Sequence, residues 1–380
     1  MPADRESCEL LRAIVQRPEN AVAQRIDQLA GNVRDWDSLV RLAREHRVLP
    51  MLYTRLADVG AAVPPATQSQ LQSEYQRNLV HNLANAAELV SLLQELEREG
   101  IPAMPFKGVV LGISVYGDLT TRPAGDVDLI IHHRHLARAT ALLLERGCKL
   151  KTPVRADGTP EYPGVYEYSF ERRVDGMVIE LRWRLSERRF GCNLGMDWVW
   201  PHRTTARLAG AEVPNLSLEH TLLVLCMHGS KHAWSRLIWI CDVARLLALP
   251  GLDWNEVSQE AKKLGLLRML ALGVLLANRV AGASVPAAIR RQFESEARAC
   301  RLARHVQEIL FDAPGALPLS RMPYIFQLLE FRDRARWLLS LDFLRPKEAD
   351  RAAVQLPASL NALYYLIRPV RMLWDKSARP

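Results

Sequence analysis

The 380-residue chain lacks the features that most readily announce a chemistry. No Gly-x-x-x-x-Gly-Lys-Ser/Thr loop and no Gly-x-Gly-x-x-Gly turn is present, which excludes P-loop and Rossmann-type phosphate cradles. The six cysteines, Cys8, Cys148, Cys192, Cys226, Cys241 and Cys300, form no Cys-x-x-Cys pair. They read as reduced, buried thiols of a cytoplasmic protein rather than as zinc ligands or a secreted disulfide framework. A signal peptide and an apolar run long enough for a membrane helix are both missing. Basic residues number 50 against 42 acidic, yet no block of five basic residues occurs. The net charge of +8 favours anionic substrates, while its even spread argues against a stable nucleic-acid partner.

What is present is the balance of a globular protein with room for two or three cores, 49% hydrophobic and 24% charged. Residues 1–99 have helical apolar spacing, in CELLRAIV, in DWDSLVRLAREHRVLPMLYTRLADVG and, after Pro64-Pro65, in a long run ending LLQELEREG. Within it Arg44, Glu45, His46 and Arg47 form a polar cluster that reads as a solvated helix end, with a place facing the cleft as the alternative. Residues 100–210 mix strand and helix patterns, and residues 211–380 return to helices, Ser217 serving as an N-cap. RRQFESEARACRLARHVQEIL reads as one basic amphipathic helix. The C-terminal PASLNALYYLIRPVRMLWDKSARP mixes aromatics with arginines but is short and interrupted by Pro369. Docking on the helical region is therefore expected, and contact with a membrane surface is not.

The densest chemistry lies in FKGVVLGISVYGDLTTRPAGDVDLII, residues 106–131. Strand alternation puts Asp126, Asp128 and Ile130 on one face and Val127, Leu129 and Ile131 on the other. Two carboxylates on a buried strand face are costly unless a cation sits between them. RHLARATALLLERG follows as a helix closed by Gly147. Downstream, VYEYSFERRVDGMVIELRWRL reads as two strands around Asp175-Gly176, a two-residue type I′ turn. That turn opposes Val174 with Met177, Phe170 with Leu181 and Glu171 with Glu180. Met177, Ile179, Leu181 and Trp183 then share the apolar face, leaving Glu180 and Arg182 on the other. Glu171 reads as solvated, neutralised by Arg173 or Arg182, and Glu180 as a candidate functional carboxylate.

Lys107-Gly108, Arg122-Pro123, Asp126-Val127-Asp128-Leu129, the strand Val178 to Trp183, and HGSKHAWSRLIWICDVARLL (228–247) together resemble the uncharacterised bacterial nucleotidyltransferase family, within the polymerase-β-like nucleotidyltransferase superfamily. The resemblance covers roughly residues 5 to 280. Two departures are visible. Lys107-Gly108 stands where the superfamily usually has Gly-Ser, and Glu180-Leu181-Arg182-Trp183 where nearer relatives have Asp-Leu-His-Trp.

The resemblance implies an α+β fold, a small mixed β-sheet core flanked by N- and C-terminal helical regions, and Mg²⁺-dependent transfer from a nucleoside triphosphate, with ATP the expected donor, to an unidentified acceptor. Small molecules, sugars, peptides and proteins all remain open as acceptors. Asp126 and Asp128 are then expected to ligate two Mg²⁺ ions and Glu180 the acceptor-side ion. Lys107, Gly108 and Arg122 are expected to meet the triphosphate, Gly108 and the helix after it offering backbone N–H groups. An ion pair of Arg122 with Asp118 or Asp126 is the alternative. His228 and His232 share a helix face but lack the glutamate and further ligands of a zinc site. With Lys231 they are placed opposite the carboxylates, against nucleotide or acceptor. Asp242 and Arg245 read as a surface pair, and Trp234 and Trp239 as packing residues. A non-catalytic nucleotide-binding or scaffolding protein and an RNA-modifying transferase are the competing readings.

Overall fold

Prolines and short polar turns divide the N-terminal part into helices α1 (Arg5–Ile14), α2 (Asn20–Ala30), α3 (Trp36–Glu45), α4 (Leu49–Asp58) and α5 (Pro65–Arg98). The structure, a computed structural model, describes residues 5–311 except 18, 156–159, 162–164, 187–191 and 193, together with isolated positions between 324 and 367. The run expected to continue from Asp35 to Gly60 breaks after Glu45. Pro50, in the first turn of α4, lacks the N–H of an interior helical residue and suits a helix start. Arg47 turns the chain there with φ 58, a left-handed conformation uncommon for a residue with a side chain.

The central part contains β1 (Ala103–Pro105), α6 (Val109–Leu111, continued by a π turn over Gly112–Tyr116), β2 (Val127–Ile131), α7 (Leu136–Glu145), β3 (Cys148–Leu150), β4 (Glu167–Arg172) and β5 (Val178–Arg182). They form one mixed sheet in the order β1-β2-β5-β4-β3, in which β2 and β5 run parallel and the other neighbours antiparallel.

The β4–β5 hairpin departs from the register expected of a two-residue turn. Phe170 faces Ile179, Glu171 faces Val178 and Ser169 faces Glu180. A type I′ turn needs positive φ at both central residues, and of the two only Gly176 has it. The loop closes instead over four residues: Gly176 N donates to Arg172 O (2.9 Å) and Arg172 N to Met177 O (2.8 Å). The Asp175 carboxylate binds the Arg172 guanidinium and the Met177 N–H. A shift of two residues leaves every side chain on its expected face. It also separates Glu171 from Glu180, and Lys151 neutralises Glu171 at 2.6 Å in place of Arg173 or Arg182.

After the sheet come α8 (Met196–Val199), a separate hairpin of β6 (Arg203–Leu208) and β7 (Ala211–Leu216), and helices α9 (Leu218–Lys231), α10 (Leu237–Leu246), α11 (Trp254–Leu264), α12 (Leu267–Ala281), α13 (Ala287–Glu294) and α14 (Ala297–Ile309). The basic helix expected over 290–310 is thus two helices, because Glu296 caps α14 by accepting from Ala299 N. Ser217 caps α9 as its sequence suggests, accepting from His220 N. Trp234 is fully buried over two glycines: a Cβ at Gly229 would lie 2.5 Å from its ring, and one at Gly273 3.0 Å.

Two cores result. In one, Leu10, Leu39 and Leu52 of the N-terminal helices join Leu222, Leu246 and Leu272 of the C-terminal helices, with Met104, Phe106 and Ile130 from one face of the sheet. In the other, Leu89 and Leu92 of α5 and Leu143 of α7 cover the opposite face, against Val127, Leu129, Ile131, Ile179 and Leu181. Helical segments far apart in sequence therefore merge over the face that carries the carboxylates. Of the C-terminal aromatics, Tyr364 is buried and its hydroxyl donates to Val354 O. Arg368, Pro369, Arg371, Trp374 and Lys376 lie outside the described residues.

Candidate active site

Parallel pairing sets Asp128 directly beside Glu180, and Asp126 enters the same face one turn of the pleat earlier. Ligand oxygens of the three carboxylates all lie within 4.8 Å of one another. Asp128 is buried, while Asp126 and Glu180 are half-buried. Such a cluster repels itself, and two side chains of opposite charge lie against it. Lys107 Nζ is 2.7 Å from Asp128 Oδ1 and 4.0 Å from Glu180, and Arg182 pairs with Glu180, with Glu167 (3.0 Å) and with Asp128 (3.4 Å). Neither Asp128 oxygen receives a directed hydrogen bond.

Burial pushes the Asp128 carboxyl up to about 8, the charges of Asp126 and Glu180 reinforcing the rise and Lys107 and Arg182 opposing it. Burial acts on Glu180 in the same sense, but Arg182 and Lys107 outweigh it and hold that carboxyl below the ordinary range. Asp128 therefore holds its proton more tightly than Glu180 does. Oxygen-only donors on a rigid strand pair suit a hard divalent cation, whose charge would draw the proton off the buried Asp128.

Gly108 makes the turn before α6 with φ 66, and a Cβ there would come 3.2 Å from the Asp126 carbonyl oxygen. Arg122 is buried and held at both ends of its guanidinium. Nε and Nη2 donate to the two Asp242 oxygens (2.8 and 3.0 Å), and Nη1 donates to Gly108 O (3.2 Å). Tyr116 OH donates to the same Asp242 at 2.7 Å. The ion pair of Arg122 thus forms with Asp242, neither with Asp118 nor with Asp126. Asp118 is occupied with Thr120 and Thr121. Asp242 is 1% exposed, so it is no surface partner of Arg245.

The loop carrying Arg122 is fastened to α5 by asparagines. Asn78 Nδ2 donates to Thr120 O, Asn82 Nδ2 to Leu119 O and Arg122 O, and Asn82 Oδ1 accepts from Ala124 N. Asn82 and Asn85 are 1% and 0% exposed, a buried polar stripe whose helical spacing is visible in the sequence.

His228 and Lys231 line the roof of the cleft with Lys107, Arg122, Arg182 and Asp242. Burial and the positive charges of Lys107, His232, Arg182 and Lys231 push His228 well below its ordinary pKa. Lys231 donates to the Tyr166 hydroxyl, and His232 stacks on Trp239 with ring centres 5.0 Å apart. With Lys107 and Arg182 folded onto the carboxylates, this inner cavity measures about 20 Å³, room for about one water. The outer edge, at exposed Gly125 and half-buried Asp126, is open.

Arg44 and Glu45 are exposed as expected, Arg44 pairing with Glu74 at 2.9 Å. The second half of that cluster is not a solvated helix end. His46 is 0% exposed, and Arg47 lies against Gly125 at the open edge.

A sequence profile described as "Uncharacterised nucleotidyltransferase" matches residues 32–282, well over half of the chain. The chain belongs to this family. All the carboxylates and cleft cations above fall inside the matched span. No curated protein matches the chain. Among solved structures, an antigenic nucleotidyltransferase-like protein from Paracoccidioides brasiliensis is similar at 20% identity and a TM-score of 0.31, over 47% of this chain and 85% of that one. At that score the likeness adds no weight. No helix among the described residues is long and apolar enough to cross a membrane.

Proposed function

We propose that this protein transfers a nucleotidyl group from a nucleoside triphosphate, with ATP as the donor, to an acceptor that is a small molecule, a sugar, a peptide or a protein, and that it does so with two Mg²⁺ ions held by Asp126, Asp128 and Glu180. The observation that carries the reading is the convergence of three carboxylates, drawn from two parallel strands, on one partly buried point. Bound there, Mg²⁺ would neutralise the attacking oxygen and the departing pyrophosphate.

The protein's own residues take complementary parts. Lys107, a flexible point charge 2.7 Å from Asp128, is free to turn to a phosphate once another cation neutralises that carboxylate. Arg182 stays between Glu167 and Glu180, fixing the Glu180 carboxylate. Arg122, bound to Asp242 and to the carbonyl of Gly108, positions the Lys107-Gly108 turn instead of competing for phosphate. His228 stays neutral, and with Lys231 and His232 it forms the roof against nucleotide or acceptor.

The test is mass spectrometry of candidate acceptors incubated with Mg²⁺ and each of the four nucleoside triphosphates. A mass increase of one nucleotidyl group in the wild type, abolished in Asp126→Asn/Asp128→Asn with the fold intact, is the expected outcome. Unchanged transfer by the double variant would overturn the assignment.

A further inference from the structure

The positive groups of the inner cleft already have partners: Lys107 with Asp128, Arg182 with Asp128, Glu167 and Glu180, Arg122 with Asp242, and Lys231 with the Tyr166 hydroxyl. Arg47, at the open edge against Gly125, and Arg236, whose charge acts on it, differ. Among the described residues neither Arg47 nor Arg236 forms an ion pair, and the Nε of Arg236 is buried without a hydrogen-bond partner.

Both are held in place. His46 Nδ1 accepts from Leu237 N (3.2 Å) and His46 O from Ile238 N (3.3 Å), so the residue before Arg47 is fastened to the two residues after Arg236. Arg47 itself is set by its left-handed backbone, and Arg236 lies over the Trp239 ring, 5.5 Å from its centre. Gly125 admits the Arg47 guanidinium: a Cβ there would lie 2.8 Å from Nη2.

The charges acting on Arg47 are those of Arg122, Arg236, Asp126 and Asp242. Both oxygens of Asp242 are taken by Arg122, and Asp126 is a ligand in the proposed metal site. Arg122 and Asp242 offset one another, which leaves Arg47 and Arg236 facing Asp126; an anion joining the two guanidinium groups relieves their mutual repulsion, and their planar forks suit phosphate oxygens.

We propose that Arg47 and Arg236 clamp the polyphosphate of the donor at the Asp126 edge of the cleft, the N-terminal and C-terminal helical regions each supplying one arm. This rests on the nucleotidyl-transfer reading but can fail separately from it. Isothermal titration calorimetry with inorganic tripolyphosphate in the absence of metal, and with ATP in the presence of Mg²⁺, tests it on the full chain.

Arg47→Gln and Arg236→Gln are each expected to weaken both ligands by roughly tenfold to a hundredfold. Gly125→Ala, whose backbone does not need a left-handed φ, should reproduce the Arg47→Gln loss by displacing the guanidinium. Wild-type affinity for both ligands in the Arg47→Gln/Arg236→Gln variant would overturn the clamp while leaving the transfer reading intact. Inorganic phosphate binding to the same two residues as tightly as tripolyphosphate would also overturn it, in favour of a single-phosphate acceptor. Tripolyphosphate binding lost in the variants, with no wild-type affinity for ATP, would keep a polyphosphate site at these residues but overturn both its assignment to a nucleotide donor and the transfer reading.

Discussion

The two faces of the central sheet are made by the same strands and obey opposite rules. On one face Val127, Leu129, Ile131, Ile179 and Leu181 are at most 2% exposed and pack under α5 and α7. On the other, the intervening residues Asp126, Asp128, Glu180 and Arg182 place charges where burial penalises them. The first face is stabilised by removing apolar surface from water, about 25 cal/mol per Å². The second is tolerated because cations neutralise it, and it is there that a divalent ion and an anionic substrate have something to gain. One strand pair thus holds the carboxylates rigid by packing its other side.

Substitutions that separate stability from rate break this comparison most sharply. Glu180→Gln keeps shape and removes charge, so it is expected to cost about a thousandfold in transfer rate, about 4 kcal/mol of transition-state stabilisation, with little change in melting temperature. Leu129→Ala, on the opposite face, should do the reverse, losing about 2–5 kcal/mol of stability while each folded molecule keeps its rate. Parallel thermal melts and initial rates decide. Melting lowered by Glu180→Gln at unchanged rate would make Glu180 a structural residue.

Next in size is the link between the sheet and its roof. Arg122→Met leaves Asp242 buried without its bidentate partner, which typically costs about 3–5 kcal/mol. Replacing both by apolar residues, Arg122→Met/Asp242→Leu, should recover much of that stability yet leave the Lys107-Gly108 turn without its anchor. Denaturant unfolding measures the first effect and the KM for the nucleotide the second. If the double variant regains both, Arg122 serves packing alone.

Much of this site was legible in the amino-acid sequence, and the boundary of legibility is physical. Strand alternation has period two, so Asp126 and Asp128, and Glu180 and Arg182, could be sorted to one face without knowing any partner. The hairpin register could not, because it depends on how Asp175 and Gly176 close the loop. The four-residue closure moved the pairing by two and left the faces unaltered. Partners separated by long stretches of chain were illegible: nothing near Arg122 indicates Asp242, and nothing near Arg47 indicates Gly125 or Arg236. The Arg44–Arg47 cluster was visible as polar, but a run of charges does not disclose that it is divided between solvent and cleft. The asparagines at 78, 82 and 85 carried a readable signal, a buried-face periodicity in the wrong residue type for a core.

The subtlest contrast between the faces is their response to pH, since the apolar face has none. Without metal, Asp128 keeps its proton up to about 8, while the unfolded chain releases it near 4. The folded form then binds more protons across that window, so stability should fall as pH rises from about 4 towards about 8 and level off beyond. Glu180, held low by Arg182 and Lys107, contributes in the opposite sense only below its ordinary pKa. Metal affinity must run the other way, because binding displaces the Asp128 proton. It should rise about tenfold per pH unit below about 8 and become flat above. Mg²⁺ titrations at pH 6 to 9 in buffers of differing ionisation enthalpy measure the affinity and the protons released, near one at the acid end and near none at the alkaline end. Asp128→Asn should remove the slope together with most of the affinity. An affinity that is pH-independent in the wild type would mean that Lys107 and Arg182 already keep Asp128 ionised, and that the carboxylate face is balanced by its own cations before any metal arrives.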